Sequence, residues 1–286
     1  MKSFGAFAII FIVSITILPS AYAEEWNFFD WLTNLFGGEA EKNESEILKE
    51  SPVKQFDIKK AVIIDQLERD MPNPSFQNQT MEYFSKAGYE VDLYTYDDIT
   101  IDFYKNLPSM DYNFIVFRSH ALAIYGDNPS SWLFTGEKYS EEKYIQDQLA
   151  GDLISRAVPY RISQAKDLGF DTASKDRHFI VSAKFVENLM TDKFPNSIVI
   201  LGGCDTMKHP DFGHAFIERG ASSVIGWNGL IDAIENDQVL SSLLKEILIE
   251  KSDIDDAVDS VMEEYLKEKD TDIRLKHYAS GIEVEI

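Results

Sequence analysis

One stretch of the sequence, residues 197–206 (SIVILGGCDT), restricts the fold more than any other. It opens with a short, continuous apolar run, which is typical of a strand buried on both faces of a parallel sheet. Two glycines and then Cys204 follow, so we expect the cysteine to lie where the chain leaves the sheet. Ligands bind at this carboxyl edge in open α/β sheets. The stretch therefore predicts an α/β fold with Cys204 at the functional edge.

A second apolar run, residues 113–120 (NFIVFRSH), ends at His120 and predicts another buried strand with its tip at the same edge. Cys204 is the only cysteine of the chain. A cysteine and a histidine at the tips of two core strands are what a thiol nucleophile and its base require. The alternative is a buried small residue that happens to be cysteine. The position of Cys204 directly after two glycines, and opposite His120, favours the functional interpretation.

Extended and helical patterns alternate along this part of the sequence. The patterns predict strands at residues 61–64 and 89–94 and a third strand that leads to His120, with helices at residues 75–87 and 101–107 between them. This order predicts a parallel, doubly wound sheet with right-handed crossovers. Between Ala121 and Arg177 the alternation lapses, which is typical of an inserted region whose loops contact a substrate.

The second half of the sequence predicts further helices and strands. Residues 132–137 and 143–146 predict short extended pieces, and residues 179–190 predict a helix that leads into the Cys204 strand. Beyond the cysteine we expect a helix between Pro210 and Gly220, a fifth strand at residues 223–226, two amphipathic helices of which the second is capped by Ser252, and a final extended piece at residues 281–286.

The charge of the chain limits its partners. The formal net charge is −22, which argues against nucleic acid as a partner because phosphate binding needs a basic surface. No glycine-rich phosphate loop follows the first predicted strand, so a domain that binds a small ligand at the sheet edge is a weaker alternative. His209 and His214 follow the cysteine without a cluster of carboxylates or thiolates, so we expect no metal and no cofactor.

Residues 1–23 have the pattern of an export signal. Lys2 precedes an uncharged apolar run from Phe4 to Leu18, and a small-x-small site predicts cleavage after Ala23. The run is shorter than the about 20 residues that a membrane span needs, although an uncleaved membrane anchor is the alternative. We therefore expect a secreted or cell-surface protein.

Residues 24–57 have the composition of a spacer. An aromatic stretch at residues 26–36 ends at two glycines, and an acidic, polar segment follows it. The aromatic stretch could form an amphipathic helix that makes peripheral contact with a membrane or with the following domain. The acidic segment is typical of a flexible linker. We expect the domain at residues 58–286 to fold without this spacer, and the sequence leaves its oligomeric state open.

Three stretches of the chain resemble the caspase-like clan (clan CD) of cysteine peptidases, and their style is nearest to the gingipain and CHAT-domain branches. They are residues 114–121 (FIVFRSHA), 199–206 (VILGGCDT) and 215–227 (AFIERGASSVIGW). The resemblance extends from about Lys59 to Tyr265. It implies a caspase-like three-layer α/β/α sandwich with a mostly parallel central sheet.

The resemblance also implies the role of individual residues. Cys204 would be the nucleophile, and His120 would be the general acid and base. The oxyanion would be stabilised by the backbone N–H groups of Cys204 and of the residue after the histidine, which is Ala121 here and glycine in the family. The implied function is an exported endopeptidase that hydrolyses protein or peptide substrates through a thioacyl intermediate. The alternative is a catalytically inactive, CHAT-like domain that binds proteins.

The family builds the pocket for the residue before the cleaved bond from the end of the first strand and the neighbourhood of the cysteine. At these places the sequence has Asp65 and Asp205, and Trp227, at the end of the fifth strand, could supply an apolar wall. Two carboxylates favour a cationic side chain, so we predict cleavage after Arg or Lys. The alternative is that Asp65 caps a turn and that Asp205 caps the next helix.

Overall fold

The computed structural model describes residues 58–151, 153–157, 177–267 and 269–281. These residues belong to a compact unit that extends from Phe56 to Ile286. They form ten strands: β1 (Lys60–Asp65), β2 (Glu90–Thr95), β3 (Phe114–Arg118), β4 (Ala121–Ile124), β5 (Ser130–Lys138), β6 (Ile154–Ala157), β7 (His178–Ser182), β8 (Ile198–Gly202), β9 (Ser223–Trp227) and β10 (Leu275–Ala279).

The same residues form seven α-helices, five of which begin at a side-chain cap. The helices are α1 (Pro74–Lys86), α2 (Ile101–Asn106), α3 (Ile145–Leu149), α4 (Ala183–Leu189), α5 (Asp211–Glu218), α6 (Ala233–Lys245) and α7 (Ile254–Leu266). The capping side chains belong to Asn73, Thr100, Ser182, Asp232 and Asp253. Each accepts a hydrogen bond from an otherwise unpaired N–H of the first turn. Our expectation that Ser252 caps the last helix was wrong, because the next residue, Asp253, does so.

The main sheet has six strands in the order β10-β9-β8-β3-β1-β2. Strands β1, β2, β3, β8 and β9 run parallel to one another, and β10 is antiparallel to β9. The predicted parallel α/β sheet is therefore confirmed. Strands β3 and β8 are neighbours, with Phe117 opposite Leu201 and Arg118 opposite Gly202. Because both strands end at the same register, the residues that follow them lie at one edge of the sheet.

Helices cover both faces of the main sheet. Side chains alternate between the faces of a strand, so Val62 and Ile64 pack with helices α2, α4 and α5. Ala61 and Ile63 pack on the other face with helices α1, α6 and α7. Burial on both faces explains why the inner strands β1, β3, β8 and β9 are mainly apolar without a polar alternation, whereas the edge strands β2 and β10 are partly exposed.

A second sheet, which the sequence did not predict, is built from the inserted region and β7, and its strand β5 contains the extended piece expected at residues 132–137. It is antiparallel, with the strand order β4-β5-β7-β6. The predicted helix at residues 179–190 was wrong in its first part, because residues up to Ser182 belong to β7 and only α4 is helical. All five residues of β7 are buried, and a short, fully apolar run fits a buried strand as well as a buried helix. The extended piece expected at residues 143–146 was also wrong, since α3 begins at Ile145.

Several predictions concern the ends of the chain. The signal at residues 1–23, the spacer at residues 24–57 with its aromatic stretch at residues 26–36, and all but the first residue of the extended piece at residues 281–286 lie outside the described residues. Within the described residues, every helix is too short or too polar to cross a membrane.

Candidate active site

A cavity of about 310 Å³ opens at the carboxyl edge of the main sheet. Ser119 and His120, which follow β3, form one side of it. Gly202, Gly203 and Cys204, at the end of β8, form another. The structure therefore brings the predicted thiol and imidazole to one cavity, as the positions of the two strands in the sequence predicted.

Two glycines allow the tips of β3 and β8 to approach so closely. A Cβ atom added at Gly203 would lie 2.2 Å from the carbonyl oxygen of Ser119. A Cβ atom added at Gly202 would lie 2.4 Å from a methyl group of Leu240 and 2.6 Å from the carbonyl oxygen of Phe117. These distances leave no room for any side chain. The glycines therefore let the residue after them sit directly beside the end of β3.

The turn after Cys204 is held from two directions. The Thr206 hydroxyl donates to the Leu201 carbonyl at 2.9 Å and accepts from the Trp227 N–H at 3.0 Å. The Asp205 N–H donates to the carbonyl of Gly229 at 2.9 Å. Asp205 has a left-handed backbone with φ 56°, a conformation that aspartate tolerates better than most residues. The backbone that carries the thiol is thus fixed by residues of β8, β9 and the loop that follows β9.

The Cys204 thiol is half-buried and donates to the carbonyl oxygen of Ile231 at 3.3 Å. Burial raises the pKa of this thiol, and the carboxylates of Asp205 and Asp232 raise it further, whereas contacts with the backbone at Ile231 and at Cys204 itself lower it. The net effect is a pKa above the ordinary value. Since the thiolate is the nucleophilic form, a neighbouring base must remove the proton before Cys204 can react at neutral pH.

His120 is fixed through its backbone. Its N–H donates to the side-chain oxygen of Gln66 at 2.9 Å, and its carbonyl accepts from the N–H of Phe134 at 3.1 Å. Its ring packs edge-on against Phe134, and its Nε2 atom lies 3.9 Å from a carboxylate oxygen of Asp70. Gln66 and Asp70, which belong to the loop after β1, were not predicted from the sequence.

Ala121, the predicted second donor of an oxyanion hole, is the first residue of β4 and lies opposite Leu133 of β5. Hydrogen-bonded and non-hydrogen-bonded pairs alternate along antiparallel strands. Because His120 accepts from Phe134 in the preceding pair, Ala121 belongs to a non-hydrogen-bonded pair. Its N–H therefore points away from β5, and β4 is an edge strand with no further strand on that side among the described residues.

Asp65 is not among the described residues that line the cavity. Its carboxylate is fully buried and accepts hydrogen bonds from Arg118 and from Gln77, each at 2.8 Å. Arg118 is itself buried and also donates twice to Asp237, at 2.8 Å each. A carboxylate that is buried and paired with an arginine cannot pair with a charged group of a substrate. We therefore correct our assignment of Asp65 to the substrate pocket, since its partners are structural.

Trp227 and Asp205 do not occur among the described residues that line the cavity. The Trp227 side chain is fully buried, and its indole N–H donates to Asn236 at 2.9 Å, so it belongs to the core. Asp205 is 7% exposed and lies in a turn, and α5 begins only at Asp211, so it does not cap that helix either. The apolar walls of the cavity come instead from Leu67, Met71, Leu230, Ile231 and Ala233.

Comparisons with known proteins do not place the chain in a family. A scan against models of protein families found no match, and a search of curated proteins found none. The described residues contain no group of three His, Cys, Asp or Glu side chains arranged to hold a metal ion. The function is therefore inferred from the geometry of the cavity and from the motifs of the sequence.

Proposed function

We propose that the protein is a cysteine endopeptidase of the caspase-like type, with Cys204 as nucleophile and His120 as general acid and base. The observation that carries this proposal is that both side chains line one cavity at the carboxyl edge of neighbouring parallel strands. The sheet with helices on both faces is also what a caspase-like three-layer sandwich requires. The three stretches that resemble this clan lie on β3, β8, α5 and β9, around that edge.

The proposed reaction has two steps. His120 takes the proton of Cys204 while the sulfur attacks the peptide carbonyl carbon, and the imidazolium then gives this proton to the leaving amine. Water attacks the thioacyl carbonyl with His120 again as base, which releases the acid and restores the thiol. The N–H groups of Cys204 and Ala121 would stabilise the oxyanion in both steps. Since burial keeps the free thiol protonated, the transfer to His120 belongs to the chemical step.

The second candidate is an inactive, CHAT-like domain that binds proteins. The observation in its favour is that the Cys204 thiol donates to Ile231 and has a raised pKa, which would disfavour attack on a substrate. An alanine also stands where the family has glycine. Turnover of any peptide by Cys204 decides between the two candidates.

The predicted preference for Arg or Lys before the cleaved bond can no longer rest on Asp65 and Asp205, because neither is among the described residues that line the cavity. Cleavage after Arg or Lys stays a prediction, but its carboxylate would have to come from Asp232, the one acid among the described residues that line the cavity. One oxygen of Asp232 accepts the N–H of Ile234 at 2.8 Å as the cap of α6. The remaining walls are mostly apolar, so an uncharged aliphatic side chain is the competing preference.

A peptide library tests this proposal. We expect the purified chain to hydrolyse library peptides at a bond selected by the preceding residue, with either Arg and Lys or aliphatic residues preferred, because one cavity beside Cys204 receives that side chain. Cleavage is measured by mass spectrometry, and Cys204→Ala is the control. Absence of cleavage of every peptide by a folded protein with an intact thiol would favour the inactive, protein-binding candidate. Export from the cell after cleavage at Ala23, with protein or peptide substrates outside it, completes the proposal.

A further inference from the structure

The loop between β1 and α1 brings one carboxylate to the His120 ring. The Oδ2 atom of Asp70 lies 3.9 Å from the Nε2 atom of His120, and the two side chains are 20% and 12% exposed. This oxygen is buried and accepts no hydrogen bond from the described residues. The other oxygen, Oδ1, accepts from Nε of Arg69 at 3.4 Å. One carboxylate oxygen of Asp70 therefore faces the exposed Arg69 guanidinium, and the other faces the imidazole of His120.

Several bonds fix the loop that carries Asp70 against the tip of β3. The Met71 carbonyl accepts from Nη2 of the buried Arg118 at 2.8 Å, directly after Asp70. At the start of the loop, the Gln66 N–H donates to the Arg118 carbonyl at 2.9 Å, while the Gln66 side chain accepts from His120. The Arg69 guanidinium stacks on the Tyr96 ring, 3.6 Å from its centroid. Both ends of the loop are therefore tied to the strand that positions His120.

A carboxylate beside one ring nitrogen determines what the other nitrogen can do. In a neutral imidazole one nitrogen carries a proton and the other accepts one, and an anion next to Nε2 favours the proton there. Nδ1 is then the basic nitrogen. The same carboxylate stabilises the imidazolium that forms when the thiol gives up its proton. The separation of 3.9 Å is longer than a hydrogen bond, but such contacts often tighten when a substrate binds.

We infer that Asp70 is a positioning residue for His120, which holds the imidazole with Nε2 protonated and Nδ1 as the base. The inference rests on the proposed function only where it concerns catalysis, since the tautomer of His120 is a property of the resting protein.

The test combines a spectroscopic and a kinetic measurement on the full chain. In the parent protein, the ring ¹⁵N chemical shifts of neutral His120 should show Nε2 as the protonated nitrogen. In Asp70→Asn, the proton should redistribute towards Nδ1. If the parent hydrolyses peptides, we expect kcat to fall by about 10- to 100-fold with KM nearly unchanged, as a part of the 10²–10⁴ that general acid–base catalysis supplies. Asp70→Glu should recover part of the loss.

Glu68→Gln is the matched control, because it removes a charge from the same loop without touching His120; it should leave the tautomer and kcat unchanged. A parent protein with Nδ1 protonated would overturn the inference. This measurement uses the parent alone, so it does not depend on whether a variant folds. An unchanged tautomer and kcat in Asp70→Asn would overturn it as well. If the parent hydrolyses no peptide, the proposed function fails, while the tautomer still decides whether Asp70 positions the ring.

Discussion

Replacement of Cys204 by alanine is expected to abolish peptide hydrolysis and to leave the fold intact. The thiol is the only group in the cavity assigned to form the acyl intermediate, and its loss removes covalent catalysis altogether. The side chain is half-buried, and its hydrogen bond to Ile231 is weak because a thiol is a weak donor. His120→Ala should lower kcat by about 10²–10⁴-fold, which is the usual contribution of a general acid and base. Initial rates on a peptide from the library are the measurement.

His209→Ala is the matched control for His120→Ala. His209 follows Cys204 in sequence, but its ring packs against Tyr125. His209 is not among the described residues that line the cavity. Its replacement should change the rate by less than a few-fold. The mechanism would be refuted if Cys204→Ala, or His120→Ala, kept activity within a few-fold of the parent in the same assay.

Replacement of Arg118 by methionine should lower the free energy of unfolding by about 3–5 kcal/mol, because it leaves two buried carboxylates without their cation. Arg118 is 1% exposed and pairs with Asp65 and Asp237, each at 2.8 Å. Burial alone would lower the pKa of Arg118, but the hydrogen bonds and charges of Asp237 and Asp65 outweigh burial and raise the pKa. The guanidinium therefore stays charged in the core and compensates both acids.

Equilibrium unfolding in urea measures this effect. The matched control is Arg156→Met, which removes an arginine that is 42% exposed and lies 3.6 Å from an exposed glutamate. It should cost less than about 1 kcal/mol, as exposed ion pairs usually do. Similar losses in the two variants would show that the buried network does not stabilise the fold as described. Asp65→Asn should likewise lower stability and leave the residue preference unchanged, contrary to our prediction from the sequence.

The strands that carry the site were predictable from the sequence, since the apolar run at residues 198–201 is short, rich in β-branched residues and followed directly by two glycines. The second sheet was not, because β7 pairs with β5 and β6 across long connections and its apolar run fits a helix equally well. Asp70 was missed because its contact with His120 spans a loop and 50 residues of sequence, and no local pattern indicates it.

The role of Asp65 was misjudged for a reason that the sequence partly contains. Asp65 ends β1 and Arg118 ends β3, and the two residues lie directly opposite each other in the parallel pair. Once the two strands are predicted to be neighbours, the alignment of their ends predicts this ion pair. The carboxylate appeared available for a substrate because only its own strand was considered. The third partner, Asp237 of α6, depends on how the helix packs and could not be predicted in this way.

Covalent capture of Cys204 by a peptidyl ketone, detected by mass spectrometry of the full chain, tests the central claim most directly. At neutral pH the parent should gain one inhibitor at Cys204, whereas His120→Ala should react far more slowly because nothing takes the proton of a thiol whose pKa is raised. Iodoacetamide at alkaline pH should label Cys204 in both proteins, which shows that the thiol is present and accessible. A parent protein that reacts with iodoacetamide but forms no peptidyl adduct would contradict the assignment of Cys204 as a peptidase nucleophile.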